Sequence, residues 1–520
     1  MSISQIIKEH CKVCGKIAEE KSRINFGSSK LITLQCGHVI TEEPIKSADY
    51  NSIISTDGRK LMPYQIEGVK FLEQANGKAL LADEQGLGKT VQVAAFVSLH
   101  KKEVLPLLIV TKTTLKLQTM WEMFRWTGLE KVQVINSGAE IALPDWDVYI
   151  TTYDLLKDDK VWMFVKDKIK FVWLDECQAI KNHLSGRAKA VQKLVKLPNV
   201  EYVIPTSGSP IENNAGEYFT ILNMLRPRVF PEYNRFVRDW CDSYETQHGY
   251  KIGGLSQTER FHRLTSEFIL RRTKKQVLPE LPEKTRALHH VELNPKFNKA
   301  YAAAMRELEE IYYSDKPEIE SMIAAMTKMR KLVGLSKVTE CAEFVADHIV
   351  STNRKIAVFL HHHSVATLLK QKLEEWVNPL GFRILEVNSA MDATKRNEVL
   401  QTLEQDDKCK VLIASTRASG EGLNLQFMSD AILLERDWNP KKEEQAEDRF
   451  HRFGQINPVL ITYMLASETI DDYFTELLEQ KRANVANALD GEEINFEGAS
   501  LMKELASILV TKGAKKWSLH

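Results

Sequence analysis

The chain has 520 residues, 43% hydrophobic and 27% charged, and its 70 lysines and arginines balance 70 aspartates and glutamates. That length predicts two large domains with a small appendage, and the neutral balance means that any polyanion must be held by a local basic surface rather than by overall charge. No run of about 18 uncharged apolar residues is present, and "MSISQIIKEHCKVC" lacks the basic-then-apolar layout of a secretory signal, so the expectation is a soluble, intracellular protein without a membrane span.

Residues 1–48 carry Cys11-x-x-Cys14 and Cys36-x-His38, a set compatible with one tetrahedral zinc, with His10 as an alternative ligand. A segment this short buries little core, so a metal staple makes physical sense. The alternative is a reduced cysteine pair packed on the neighbouring lobe. Cys177, Cys241, Cys341 and Cys409 are scattered singly and read as reduced thiols.

From about Gly77, short β-branched runs ("KALLAD", "LPLLIVT", "WDVYITTY", "KFVWLDE", "EYVIPTSGSP") alternate with helical patterns such as Val91 to Lys102. A second series follows: "KIAVFLHH", "FRILEVNSA", "KCKVLIAST", "DAILLER" and "VLITYMLA". Both predict α/β lobes with doubly wound, mostly parallel sheets. Pro279 and Pro282 mark an extended connector between them. The expected division is a first lobe over 49–275 with a helical insertion near 211–270, a second over 276–490 with a hinge and helical insertion near 276–350, and a tail over 491–520.

"LADEQGLGKT", Leu81 to Thr90, sets Gly86, Leu87, Gly88, Lys89 and Thr90 between a strand and a helix expected to start at Val91. There, backbone N–H groups and the helix N-terminus point at phosphate, Lys89 reaches the β and γ oxygens, and the Thr90 hydroxyl can ligate magnesium. A chance turn is the competing reading. It weakens on finding "VWLDE" at 172–176, an apolar strand ending in Asp175 for the metal and Glu176 for the attacking water. Positive charge for the transition state is offered by "QAEDRFHRFGQ", where Arg449 and Arg452 stand three apart and are expected on one helical face. They belong to the other lobe, so hydrolysis would require the lobes to close.

These segments, from about Leu61 to Gly491, resemble in order the motifs of the SWI/SNF-type family of superfamily-two helicase-like ATPases. "LMPYQIEGVKFL" is similar to the adenine-recognising segment, with Gln65 in the reading position, and Asp83 stands where this family replaces the usual first glycine of the phosphate loop. "LDECQAIKN" resembles the metal and water motif, and "TSGSPIENN" the inter-lobe coupling motif. "STRASGEGLNL" and "QAEDRFHRFGQ" resemble the last motifs, adding Gly420, Gly422 and Gln445 to the nucleotide contacts. "FILRRTKKQV" and "ETIDDYFTELLEQKRANVANALDG" are similar to the lobe-bridging and brace segments. The run His361 to His363 and "TIDDYFTELLEQK" look more like the annealing-helicase branch than the nucleosome remodellers. Departures are Cys177 and Gln178 in place of Ala or Gly then His, Ser209 in place of Thr, and Lys112 in place of Pro. Glutamine can still hydrogen-bond across the cleft.

The resemblance implies two RecA-like lobes, ATP and Mg²⁺ as cofactors beside the structural zinc, and double-stranded or branched DNA as partner. It implies a monomeric motor acting with other DNA-processing proteins in DNA repair, in the cytoplasm on the nucleoid or in a nucleus. DNA contacts are expected from Thr113, Thr114, Thr151, Thr152, His361, Ser364, Thr416, Arg417 and Trp438. Each threonine has an ordinary strand or cap role as its alternative, and Arg271, Arg272, Lys274 and Lys275 either line the groove or form a solvated face. The leading reading is an ATP-driven double-stranded DNA translocase. A strand-separating helicase and a nucleotide-gated scaffold without turnover are the competitors; the scaffold predicts a damaged site, whereas Lys89, Asp175, Glu176, Arg449 and Arg452 are all present.

Overall fold

The computed structural model describes residues 20–26, 29–34, 39–42, 49–137, 146–208, 210–211, 214–246, 249–388, 390–416, 423–438, 440–488 and 498–513. It divides into two compact units, Met1–Leu61 and Met62–His520. In the first, strands β1 (Glu20–Phe26), β2 (Ser29–Leu34) and β3 (Val39–Glu42) form an antiparallel sheet. This unit runs past the expected boundary at 48. Its last residues fold on Ser55, whose hydroxyl donates to Asp57 at 2.5 Å and accepts from Arg59 N–H at 2.7 Å. Cys11, Cys14, Cys36 and His38, the expected zinc ligands, lie outside the described residues.

The second unit holds two parallel sheets. The first has the order β12-β4-β9-β8-β5-β7-β6. Its strands are β4 (Leu80–Leu81), β5 (Leu107–Thr111), β6 (Val132–Val134), β7 (Val148–Thr152), β8 (Phe171–Asp175), β9 (Tyr202–Thr206) and β12 (Ile269–Leu270). β5 and β7 are buried along their whole length, as the continuous apolar runs require of strands covered on both faces. Register brings the strand ends level, Thr111 opposite Thr152 and Asp175 opposite Thr206. In such sheets ligands bind at the carboxyl ends of the strands. Between β9 and β12 the insertion is not wholly helical: the antiparallel hairpin β10 (Cys241–Thr246) and β11 (Gly249–Leu255) separates helices Tyr233–Trp240 and Thr258–Thr265.

The second sheet has the order β13-β18-β17-β14-β16-β15, with β13 (Lys284–Val291), β14 (Ile356–Leu360), β15 (Arg383–Val387), β16 (Cys409–Ser415), β17 (Asp430–Leu433) and β18 (Val459–Ala466). β13 corrects the sequence reading, which made 276–290 a connector. It pairs in parallel with β18 from Lys284↔Val459 to Val291↔Ala466, so the crossing between lobes shortens to the prolines and their neighbours. Helices Ile319–Ser336, Val338–Thr352 and Ile470–Ala488 cover one face around Met326, Met329 and Val345. The expected tail after 490 also joins this core through helix Gly498–Ile508, whose Leu505 and Ala506 are fully buried. Among the described residues no helix is long and apolar enough to cross a membrane.

Candidate functional site

The phosphate loop follows the two-residue strand β4 and turns at Gly86 (φ 91°) and Gly88 (φ 71°), backbone that L side chains rarely adopt. A Cβ at Gly88 would also stand 2.5 Å from Gln65 Nε2. Gln65 is held in turn, its side-chain oxygen accepting from Met62 N–H at 2.9 Å. The helix begins at Lys89, two residues before the expected start. Lys89 Nζ donates to the Asp83 and Glu84 carbonyls at 2.8 and 3.3 Å, and burial draws its pKa down. Leu87 is wholly buried against Tyr64 and Leu278, so only its backbone is available to a ligand.

Asp83 is a correction. It is buried, and Arg272 grips both its oxygens, Nε to Oδ1 at 3.1 Å and Nη2 to Oδ2 at 2.6 Å, while Gln92 Nε2 donates to Oδ2 at 3.1 Å. A carboxylate so engaged braces the loop, and it is not among the residues that line the cavity beside Lys89. Arg272 therefore belongs neither to a groove nor to a solvated face. Lys274 is buried as well, with Nζ 2.8 Å from Asp448 Oδ1 of the second lobe. Arg271 and Lys275 are the exposed pair.

Asp175 ends β8, where the two neighbouring strand ends orient its oxygens: Thr206 donates to Oδ1 and Thr111 to Oδ2, each at 3.0 Å. Burial, then the charge of Glu176, raise its pKa to about 6. Glu176 sits at φ 52°, in the left-handed region, a cost of about 1–3 kcal/mol that a functional constraint can impose. Burial alone would raise its pKa. Lys112, 3.7 Å away, a hydrogen bond from the Gln178 amide and the charges of Lys89 and Arg449 together outweigh that and hold it below the usual carboxylate range. Gln178 also accepts from Ser207 Oγ at 2.7 Å, so the glutamine links the acidic strand end to the start of the coupling segment.

Lys89, Thr90, Asp175 and Glu176 share one cavity with Gln445, Arg449 and Arg452 of the second lobe. The lobes meet tightly there, because a Cβ at Gly86 would lie 3.3 Å from Arg452 Cβ. Burial draws both arginines down, Arg449 to about 10 with Arg452 as the second cause, which leaves it cationic at neutral pH. They do not share a helical face as expected. The helix Pro440–Glu447 ends before them, and Arg449 N–H and Phe450 N–H bond to Ala446 and Glu447 carbonyls in turns. The preceding residues anchor that turn. Glu447 accepts from Lys284 Nζ and Arg286 Nη2, both at 2.8 Å, and from Tyr463 Oη at 2.5 Å. Sequence reasoning missed these partners because β13, which carries both cations, was read as a connector. Gly420, Gly422 and Arg417 lie outside the described residues, as does Ser209.

Thr113, Thr114 and Thr152 line a groove of about 800 Å³ on the same edge of the first sheet, with Lys157, Lys181 and Arg187, none of which the sequence reading singled out. Thr151 does not join them: it is wholly buried and does not line the groove, whereas Thr152, which points to the opposite face of the strand, keeps a small exposure there. Thr416 is likewise buried and donates to the Leu360 carbonyl at 3.1 Å. Both are corrections to the expected DNA contacts. In the second lobe His361 and Ser364 are half-buried. Glu435 accepts from the His361 and His362 backbone N–H groups at 2.7 and 2.8 Å, and His362 Nδ1 lies 2.6 Å from its other oxygen. Trp438 carries the Arg330 guanidinium 4.2 Å from its ring centre and packs on Phe474, which takes up part of its surface. Among the described residues no group of three or more His, Cys, Asp or Glu is placed to hold a metal.

A nucleotide pocket in one parallel-sheet lobe, closed by arginines from a second, is the arrangement of the helicase-like ATPases. Within that class the chain belongs to the SNF2-related family: it matches the SNF2-related domain over residues 64–338, more than half its length, and the helicase conserved C-terminal domain over 337–454. It is 30% identical over 450 residues to the SWI/SNF-related matrix-associated actin-dependent regulator of chromatin subfamily A-like protein 1 of Xenopus tropicalis, covering 85% of this chain and 46% of that protein. It is 26% identical over 457 residues to the DNA annealing helicase and endonuclease ZRANB3 of Mus musculus, covering 86% and 42%. The chain thus spans less than half the length of these relatives. The Sulfolobus solfataricus SWI2/SNF2 ATPase core in complex with dsDNA aligns over 92% of this chain and 97% of its own, at 23% identity and a TM-score of 0.41.

Proposed function

We propose that this chain is an ATP-dependent double-stranded DNA translocase, coupling ATP hydrolysis to movement along duplex or branched DNA. The observation that carries the reading is the presence of Arg449 and Arg452, from the second lobe, in one cavity with Lys89, Asp175 and Glu176 of the first. Hydrolysis then depends on how the lobes meet, and a displacement of one against the other accompanies each cycle. The residues fit ATP with magnesium: Gly86 and Gly88 leave bare backbone for phosphate, Lys89 opens a helix, and Thr90 and Asp175 would hold the metal. Magnesium, when bound, offsets negative charge on the transferred phosphoryl group. Glu176 orients and deprotonates the attacking water, while Arg449 and Arg452 meet the charge that develops.

Duplex DNA is supported by the groove beside Thr113, Thr114 and Thr152, whose hydroxyls and cations suit a phosphate backbone and carry no sequence preference. The name of one relative, a DNA annealing helicase, favours strand annealing as the outcome; DNA remodelling, fork processing and protein displacement are other tasks that the same movement along duplex would serve. The test is phosphate release by the purified protein with single-stranded, duplex and forked DNA, beside triplex and strand displacement. Duplex should raise the rate and a triplex strand should be displaced without duplex unwinding. A rate indifferent to every DNA overturns the reading.

A further inference from the structure

We infer that Lys112 is a DNA-sensing tether on Glu176, holding the water-orienting carboxylate until a DNA phosphate takes its ammonium. The inference rests on the translocase reading and concerns how DNA reaches the chemistry. β5 ends at Thr111, and the residues that follow run along the wall between the nucleotide cavity and the groove. Thr111 donates to Asp175 at 3.0 Å. The next residue, Lys112, reaches Glu176 Oε2 at 3.7 Å and lines both cavities. Thr113 and Thr114 line the groove alone. One short segment therefore touches both acids and the DNA track.

The other groove cations have acids of their own. Lys157 and Arg187 pair with Asp154, and Lys181 pairs with Glu217 at 3.2 Å. Lys112 differs in that its partner is the group proposed to activate water. The Lys112 side chain is 43% exposed and its nitrogen stands 3.7 Å from Glu176, so this pair is long and open to water on the lysine side, and its hold on the carboxylate is modest. A phosphate arriving beside Thr113 and Thr114 can thus compete for the ammonium. Gln178, which also lines the groove, donates to the same Glu176 oxygen. Both tethers engage Oε2 and both belong to residues that line the groove, and they hold a residue whose backbone lies in the left-handed region. Transfer of Lys112 to phosphate removes one of them and lets the carboxylate turn to water.

Steady-state ATPase rates of wild type, Lys112→Ala and Lys112→Arg, with and without a saturating mixed-sequence duplex, test this. Loss of one modest pair should raise the DNA-free kcat about 3- to 5-fold in Lys112→Ala. KM for ATP should stay within about twofold, because the tether acts on the acid and not on nucleotide binding. Stimulation by duplex should shrink in proportion, and Lys112→Arg should restore the wild-type ratio. An unchanged DNA-free kcat in Lys112→Ala, or a fall with and without DNA, overturns the inference while leaving the translocase reading intact. A wild-type rate that ignores duplex overturns that reading first, and this inference with it.

Discussion

The two lobes hold their halves of the nucleotide site by different means. In the first, Asp175 stands at a strand end and is aimed by two neutral hydroxyls from adjacent strands, Thr111 and Thr206. In the second, Arg449 and Arg452 follow a short helix in a turn whose base is fixed by charge, Glu447 to Lys284 and Arg286, Asp448 to Lys274. The neutral bonds are local to one sheet and move with it. Two of the three cations come from β13 at the second sheet's edge and the third from the segment entering the connector, so the seam between the lobes sets where the arginines stand. Hydroxyl bonds thus keep Asp175 with its own sheet, whereas ion pairs tie the arginines to the seam.

The largest effect should come from the second half. Arg452→Ala should lower kcat by about 10³ to 10⁵, the range for a transition-state arginine, with folding and duplex binding retained. Glu176→Gln should cost about 10² to 10⁴ as the loss of a general base, and duplex affinity should again survive. Single-turnover ATPase with a parallel binding titration measures both. Equal survival of turnover in Arg452→Ala would break the comparison, because the second lobe would then add nothing to the chemistry.

Glu447 sharpens it. The carboxylate is fully buried; burial would raise its pKa, but Arg286 and Lys284 hold it at about 2. A folded-state pKa depressed from the ordinary 4.5 stabilises the native state above the unfolded value, and that contribution is lost as pH falls from about 4.5 to 2. The difference corresponds to about 3 kcal/mol. Glu447→Gln should therefore unfold more easily at neutral pH, and its gap to wild type should close across that acid window in denaturant titrations. Its kcat should fall while its KM for ATP changes little, since the lobe that grips phosphate is untouched. A gap that persists at pH 2 would mean that packing, not the ion pairs, holds the turn.

What could be read from sequence follows the same division. The glycines, Lys89, Thr90, Asp175 and Glu176 are legible because their chemistry is contiguous and their strands are uninterrupted apolar runs. Asp83 was misread because its partner, Arg272, lies 189 residues on, and no local pattern reveals a long-range ion pair. β13 was misread because the cations that anchor the arginine turn break its apolar run, so the same residues that fix the second half-site hid the strand. Thr151 and Thr416 show a parity error: a hydroxyl near a strand end faces the groove or the core according to its place in the alternation, and the run alone does not say which.

The groove gives the smallest and most discriminating effect. If its cations track phosphates, Lys157→Ala should weaken binding to all duplexes alike and reduce the slope of log affinity against log salt by about one. Thr151→Val, one residue before the groove-lining Thr152 on β7 but wholly buried, should leave both affinity and slope unchanged. Fluorescence anisotropy across a salt series separates the two. A slope that Lys157→Ala leaves alone, or one that Thr151→Val moves, would place the DNA track elsewhere on the first lobe and detach the neutral strand ends from the surface that DNA touches.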